Sequence, residues 1–393
     1  MATVRLYHHD SFARRFEARV LDHGRLGDRP TVVLDQTALY PEAGGQMADR
    51  GTLTVDGATQ AVSDVQVDDA GTIHHVVEGA APALGATVVG EVAWARRRVH
   101  MALHTGQHLL SRALIEAAGA PTVSSRLGET DCTIDVTRPE VPERELAAAE
   151  ALANQIIDDD VVVRAWFPEP DELATLPLRR EPKVEREVRV IAIGDFDCSP
   201  CGGTHVARSA QIGAIHVVGT ERYKGMTRVY FAAGGRGRAL TSGHSAALTA
   251  LGRELSCGPA DVAAAVDKLR RALADARADA DAVRTRLAAA LAATLAPTPS
   301  PAPVVTTVDD AALLRPLAAA VTAAGRDALL ACPGADGLQV LVARADGSAR
   351  DCGALLKRLA GATGGRGGGK PTHAEGRLPS GTDWPAVVAA ALA

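Results

Sequence analysis

Short runs of β-branched and alternating residues fill the first part of the chain, at 31–34, 52–55, 72–77 and 86–92, each bounded by Gly, Asp or Pro. A period of two, broken by turn residues, predicts strands, and this close spacing predicts a small β-barrel-like domain over 1–93. From 98 to 118 the period becomes helical: Val99, Leu103, Leu109, Leu110, Leu114 and Ile115 favour one side, and Gly119-Ala-Pro121 stops it. A second helix is predicted over 143–157, with strands over 161–166, 188–193, 214–218 and 227–232. The simplest assembly of these is an α+β sandwich spanning 94–240.

Beyond Leu240 the pattern changes again. Val262, Val266, Leu269, Leu273, Ala276, Ala280, Val283 and Leu287 step by four and three in turn, the a/d seam of a heptad, with Asp, Arg and Lys on the flanks. Such a helix either packs on its own domain or forms an arm or dimer seam. This helical arm, 241–298, ends in a stiff linker, Pro297-Thr-Pro-Ser-Pro301-Ala-Pro303. Residues 299–393 then read as a small α/β domain with a glycine-rich loop, Gly364-Gly-Arg-Gly-Gly-Gly-Lys370. The whole is a multidomain α+β protein.

Bulk composition narrows the functional classes. A net charge of −5 argues against a general nucleic-acid binder, yet leaves room for a local basic face. Aromatics at 3% make base stacking a minor contributor to any such contact. The N-terminus has no apolar signal core, and no run approaches the ~18 apolar residues of a membrane span. Six scattered cysteines do not make a disulfide framework, so reduced thiols and a cytoplasmic location are expected.

The candidate chemistry lies in two motifs, His104-Thr-Gly-Gln-His108 and Cys201-Gly-Gly-Thr-His205. Histidines at i and i+4 share one helix face, so both rings reach one ion, and a Cys and a His across two glycines suit a tight loop. Three imidazoles and a thiolate form the donor set that zinc prefers. His100, one turn earlier, is a spare candidate ligand.

Three longer passages carry a family resemblance: 37–51 around Pro41-Glu-Ala-Gly-Gly-Gln46, His104-Thr-Gly-Gln-His-Leu-Leu110, and Asp195-Phe-Asp-Cys-Ser-Pro-Cys-Gly-Gly-Thr-His-Val206. Ile212-Gly213 and 221–234 fit as well. With them, residues 1–240 resemble the editing portion of alanyl-tRNA synthetase in its free-standing, AlaX-type form. The resemblance implies zinc ligands at His104, His108, Cys201 and His205, with Cys198 a neighbouring thiol only. It also implies a trans-editing aminoacyl-tRNA deacylase for Ser-tRNA(Ala), with Gly-tRNA(Ala) as a second substrate and no aminoacylation activity.

Gln46 would then face an ester or ribose hydroxyl. Thr105 and Ser125, with Ser124 beside it, would read the serine hydroxyl, and the N–H groups of Gly202 and Gly203 would receive a developing oxyanion. Four protein ligands complete a tetrahedron, so zinc either keeps one position open by displacing His205 or His108, or only positions the substrate. Arg96, Arg97 and Arg98, then Arg179, Arg180, Lys183, Lys224 and Arg228, are candidate phosphate contacts.

Residues 299–393 resemble the DHH-associated C-terminal domain of longer relatives, where Arg366, Lys370 and His373 would grip tRNA. The β-rich segment fills the 103 residues before His104, and no P-loop or dinucleotide fingerprint occurs, so neither ATP nor a dinucleotide is an expected partner. Two rival readings stand beside this one: a noncatalytic, zinc-stabilised tRNA-binding module, and an editor of another tRNA such as Ser-tRNA(Thr). A homodimer through the arm or the C-terminal domain is a further candidate.

Overall fold

The computed structural model describes residues 3–182, 187–298 and 300–393. Lys183, one of the candidate phosphate contacts, lies outside the described residues. The chain divides into two compact units, Met1–Ala250 and Leu251–Ala393. Together they form a mixed α+β architecture.

The first unit opens with a closed six-stranded barrel. Its strands are β1 (Arg15–Leu26), β2 (Arg29–Leu34), β3 (Gly51–Val55), β4 (Ala58–Val67), β5 (Ile73–Val77) and β6 (Thr87–Val92), joined in the order β1-β2-β5-β4-β3-β6 with β6 closing on β1. Phe16, Ala18, Val20, Val32, Leu34, Leu53, Val65, Ile73 and Val88 point inward as one buried cluster. Closure leaves no free sheet edge. The loop between β2 and β3 carries Gly44, Gly45 and Gln46, and it leaves the barrel to reach the next layer.

That layer is built on the helix α1 (Trp94–Ala118). Gly119 ends it in the left-handed region, with its N–H on Ile115 and the Ala120 N–H on Leu114. The helix begins four residues before its apolar pattern does. Arg97 is fully buried there, ion-paired with Asp49 and donating to the Ser11 carbonyl (2.8 Å), so a charged residue occupies a core position. Arg97 is therefore not a surface phosphate contact, because a paired guanidinium with no exposure has nothing left to offer.

Strands β7 (Thr122–Leu127) and β8 (Cys132–Val136), helix α2 (Glu143–Asp158) and strands β9 (Val163–Trp166), β10 (Val190–Ile193) and β11 (Asp197–Pro200) follow. The unit closes with β12 (Ile215–Tyr223), β13 (Met226–Ala233) and helix α3 (Gly234–Glu254). An antiparallel sheet β12-β13-β8-β7 and a three-stranded sheet β9-β10-β11 pack with α1 and α2 around Met101, Leu103, Leu109, Leu110, Ile134 and Phe231. Gly106 lets α1 approach this sheet, since a Cβ there would stand 3.1 Å from that of Ala233.

In the second unit a long helix, α4 (Val262–Leu295), leads into β14 (Val304–Thr307), α5 (Leu314–Ala323), β15 (Ala328–Gly334), β16 (Gly337–Ala343), α6 (Cys352–Thr363), β17 (Arg366–Lys370), β18 (His373–Leu378) and α7 (Trp384–Leu392). The sheet order is β14-β15-β16-β18-β17, with only the β14–β15 pair parallel. The expected glycine-rich loop is instead the edge strand β17. Its glycines admit α6: a Cβ on Gly353 would lie 2.6 Å from the Gly369 carbonyl oxygen, and one on Gly367 would lie 3.0 Å from Leu356. Elsewhere in the run the close neighbour is strand β18, since a Cβ on Gly369 would run into His373 and Ala374. Among the described residues no helix is long and apolar enough to cross a membrane.

Candidate metal centre

Helix α1 presents His104 and His108 one turn apart, and the loop after β11 brings Cys201 and His205 against them. The four donor atoms lie within 4.8 Å of one another. Cys201 Sγ is 3.4 Å from His104 Nε2 and 3.3 Å from His205 Nε2. Tetrahedral zinc with sulfur at about 2.3 Å and nitrogen at about 2.0 Å would set such edges at about 3.5 Å, so the donor set fits that ion in chemistry, and the two edges from Cys201 fit it in spacing.

Each imidazole is fixed through its other nitrogen. His104 Nδ1–H donates to Gln46 Oε1 at 2.8 Å. The main-chain N–H of Thr204 donates to the same oxygen (3.1 Å), and Gln46 Nε2 donates to Thr204 Oγ1 (2.9 Å), which settles which way the amide faces. Thr105 Oγ1 donates to the Met101 carbonyl (2.9 Å) and accepts the Val206 N–H (3.2 Å), so its remaining lone pair accepts His205 Nδ1–H at 3.1 Å. His108 Nδ1–H donates to Asp197 Oδ2 at 3.2 Å. An amide, a hydroxyl and a carboxylate thus force all three rings into the tautomer with a bare Nε2 directed at the centre.

Charge follows the same geometry. Burial pushes the Cys201 thiol up, but the surrounding imidazoles of His104, His205 and His108 outweigh it and hold the thiol well below its ordinary value. Burial pulls His108 down, yet Cys201 and Asp197 leave it raised. Burial raises Asp197, and His108 with Arg179 reverses this to a net depression. Arg179 Nε reaches Asp197 Oδ1 at 2.6 Å.

The ligand loop is braced from beneath. Arg189, buried, donates through Nη1 to the carbonyls of Cys201 (2.9 Å) and Gly203 (2.8 Å) and through Nε to that of His8 (3.0 Å). The Ser11 hydroxyl accepts the His205 N–H at 3.3 Å. Gly203 lies so close to the His104 ring that a Cβ would overlap it, whereas one on Gly202 would meet only His8, at 3.7 Å.

The other predicted site residues stand at and beside this donor group. Gln46 and Thr105 are fully buried, their oxygens engaged by ligand rings and backbone N–H groups. The Gly203 N–H donates to Cys201 Sγ (3.4 Å), and Gly202 is exposed. His100 stands outside the four-donor group, buried, with burial pulling it down to about 4. Cys198 is outside it too.

Ser125 lines a surface groove with Gln107, Thr122, Ser124, Arg179 and Arg180. Through Arg179 and Asp197 that groove borders His108. Gly45 joins the barrel loop to the groove strand, because a Cβ there would stand 2.6 Å from the Ser125 carbonyl oxygen. Asp197, Arg189 and Ser11 carried no pattern of their own, although Asp197 sits inside the passage that ends in the Cys201 motif.

Comparison with known proteins places these features. Residues 188–230 match the model of the threonyl and alanyl tRNA synthetase second additional domain, and residues 13–96, the barrel, match that of class II (A) tRNA synthetases. The alanine–tRNA ligase of Pyrobaculum neutrophilum is 35% identical over 390 residues, covering 95% of this chain and 42% of the relative. That of Halobacterium salinarum is 34% identical over 387 residues, 91% of this chain and 40% of the relative. That of Pyrococcus abyssi is 37% identical over 240 residues, 59% and 26%. The chain spans less than half the length of these relatives. With the second additional domain matched over the ligand loop and nearly the whole chain aligned, the chain is related in sequence to the alanyl-tRNA synthetases.

Proposed function

We propose that this chain is a trans-editing deacylase that hydrolyses the aminoacyl ester of Ser-tRNA(Ala), with Gly-tRNA(Ala) as a second substrate. The observation that carries the reading is the set of three imidazoles locked around Cys201, bordered by a groove of hydroxyls and arginines. Bound by His104, His108, Cys201 and His205, zinc would supply a fixed positive charge beside the ester, and a set of four protein donors suits a positioning role.

The chain's own groups do the rest. Arg180, which donates to the Pro200 carbonyl at 3.1 Å, and Arg179 give the groove positive charge for the phosphates of an acceptor end. Ser124 commits its proton to Asp135 Oδ2 (2.7 Å) and can only accept. Ser125 is the hydroxyl of the pair left to both donate and accept, which suits it to read a serine side chain. The exposed Gly202 N–H is the remaining main-chain donor of the ligand loop for an oxyanion. Water attacks the ester carbonyl, the ester C–O bond breaks, and free serine and uncharged tRNA leave.

Deacylation of Ser-tRNA(Ala), with Ala-tRNA(Ala) and Ser-tRNA(Thr) as controls, tests the proposal in wild type and His104→Ala. Loss of serine from the alanine tRNA alone, abolished by the substitution, supports it. The threonine arm matters because the matched domain is described for threonyl as well as alanyl synthetases. Tight tRNA binding with no turnover on any substrate would instead support a noncatalytic module, the reading that a closed four-donor site favours on its own.

A further inference from the structure

Arg189 immediately precedes β10, and its own carbonyl accepts the Cys201 N–H at 2.9 Å, so the β10-β11 hairpin sets its side chain under the ligand loop. Only 5% of it is exposed. A buried cation usually sits against a carboxylate. Among the described residues none supports Arg189, and the group that does is the Cys201 thiolate. Its donated hydrogen bonds all go to main-chain carbonyls, those of Cys201, Gly203 and His8.

Two of those carbonyls decide where N–H groups point. The peptide bonds are trans, so in each unit the N–H is directed opposite to the C=O. Arg189 draws the Gly203 carbonyl beneath the loop, and the Thr204 N–H of that unit emerges on the other side, on Gln46 Oε1 at 3.1 Å. By the same rule the Cys201 carbonyl, drawn to Arg189, turns the Gly202 N–H away from the buried guanidinium. Gly202 is exposed, and among the described residues nothing accepts its N–H. The Gly203 N–H between them is taken by Cys201 Sγ.

We propose that Arg189 is a positioning residue for ester hydrolysis: through the Cys201 carbonyl it aims the Gly202 N–H outward, as the donor that receives the developing oxyanion. This rests on the deacylase reading above. A carbonyl that accepts from a cation polarises its own peptide unit, so the N–H at the far end becomes a stronger donor. As water adds to the ester, its carbonyl carbon becomes tetrahedral and negative charge gathers on the oxygen. The Gly202 N–H and the fixed charge behind it both stabilise that oxygen without rearranging. Because the charge exists only in the transition state, the contribution falls on kcat and leaves KM alone.

The test joins kinetics on Ser-tRNA(Ala) to a readout that needs no turnover. Arg189→Ala is expected to lower kcat by about 10²-fold, the low end of what losing one oxyanion donor costs. KM and zinc content should hold, and added guanidinium ion should restore kcat. With the carbonyl carbon of cysteine and the nitrogen of glycine isotope-labelled, NMR reports only the peptide bonds Cys201–Gly202, Cys257–Gly258 and Cys352–Gly353. The first signal is expected to move in Arg189→Ala and to return with guanidinium, while the other two stay fixed. Should Arg189→Ala lose zinc, Arg189→Lys takes its place, with reduced kcat and wild-type KM and zinc expected.

A variant with wild-type kcat, or one whose loss lies in KM and resists guanidinium, would overturn the proposal and leave the deacylase reading standing. So would a Cys201–Gly202 signal that does not move. Loss of zinc from both variants would make Arg189 a brace of the metal site alone and overturn the proposal as well. A wild type with no turnover, whose NMR signal still responds to Arg189→Ala, would remove the deacylase reading and this proposal with it.

Discussion

Gln46 holds His104: its Oε1 accepts the ring's Nδ1–H at 2.8 Å while also accepting the Thr204 N–H, so a residue of the barrel loop sets the tautomer of a helix ligand 58 positions away. Replacing Gln46 by Leu keeps the bulk and removes the acceptor. Zinc affinity, measured by competition with a chromogenic chelator, is expected to fall about 10–100-fold. Unchanged affinity would show that the ring is held by packing alone.

Thr105 separates a supporting role from a substrate-reading one. Thr105→Val leaves the Val206 N–H and His205 Nδ1–H without their acceptor in a buried site, at about 1–3 kcal/mol for each orphaned donor. The expected result is a lower melting temperature and weaker zinc binding, restored in Thr105→Ser. If the valine variant bound zinc normally and lost only serine-over-alanine discrimination, Thr105 would be a reader after all.

The two glycines of the ligand loop should respond differently. Gly203→Ala drives a methyl into the His104 ring and is expected to destabilise by about 1–3 kcal/mol with loss of zinc. Gly202→Ala meets only ordinary contact with His8 and should stay within about 0.5 kcal/mol of wild type. Chemical denaturation of both variants with metal analysis checks this. Equal effects would refute the close approach.

A pH dependence is expected from Asp327 in the second unit. Burial pushes its carboxyl up, but Arg350 (2.7 Å), the Ala345 N–H (2.9 Å) and Ser348 (2.9 Å) outweigh burial and leave it depressed. A depressed carboxyl contributes stability above the ordinary value of about 4, and this is lost as pH falls through the folded-state value. Wild type should therefore lose stability more steeply than Asp327→Asn as pH drops below about 4. Near neutrality the variant should be less stable by about 1–3 kcal/mol. Parallel melting curves over that range would contradict the assignment.

Local spacing along the chain was enough to reveal much of the architecture. The strands at 52–55 and 72–77 and the helix ending at Gly119 were legible because their side chains alternate or recur with the period of the backbone they adopt. The donors His104, His108, Cys201 and His205 were legible because one helical turn and one tight loop are local geometries. Strand β17 was not, since glycine carries no strand preference and its place rests on close contacts with α6 and β18 that the local sequence does not reveal. Arg97 hid the start of α1, because its buried charge is compensated only by Asp49, 48 positions earlier.

What the sequence by itself determined is which residue types recur at which intervals: the barrel strands, the ligand helix, the heptad seam and the four donors. Tertiary structure alone decided what those donors touch. The acceptors for His104, His108 and His205 lie 58, 89 and 100 positions from their rings, and two of them, Gln46 and Thr105, are fully buried. The physical reason is that periodicity reports the local backbone, whereas a hydrogen-bond partner is set by where distant segments come to rest.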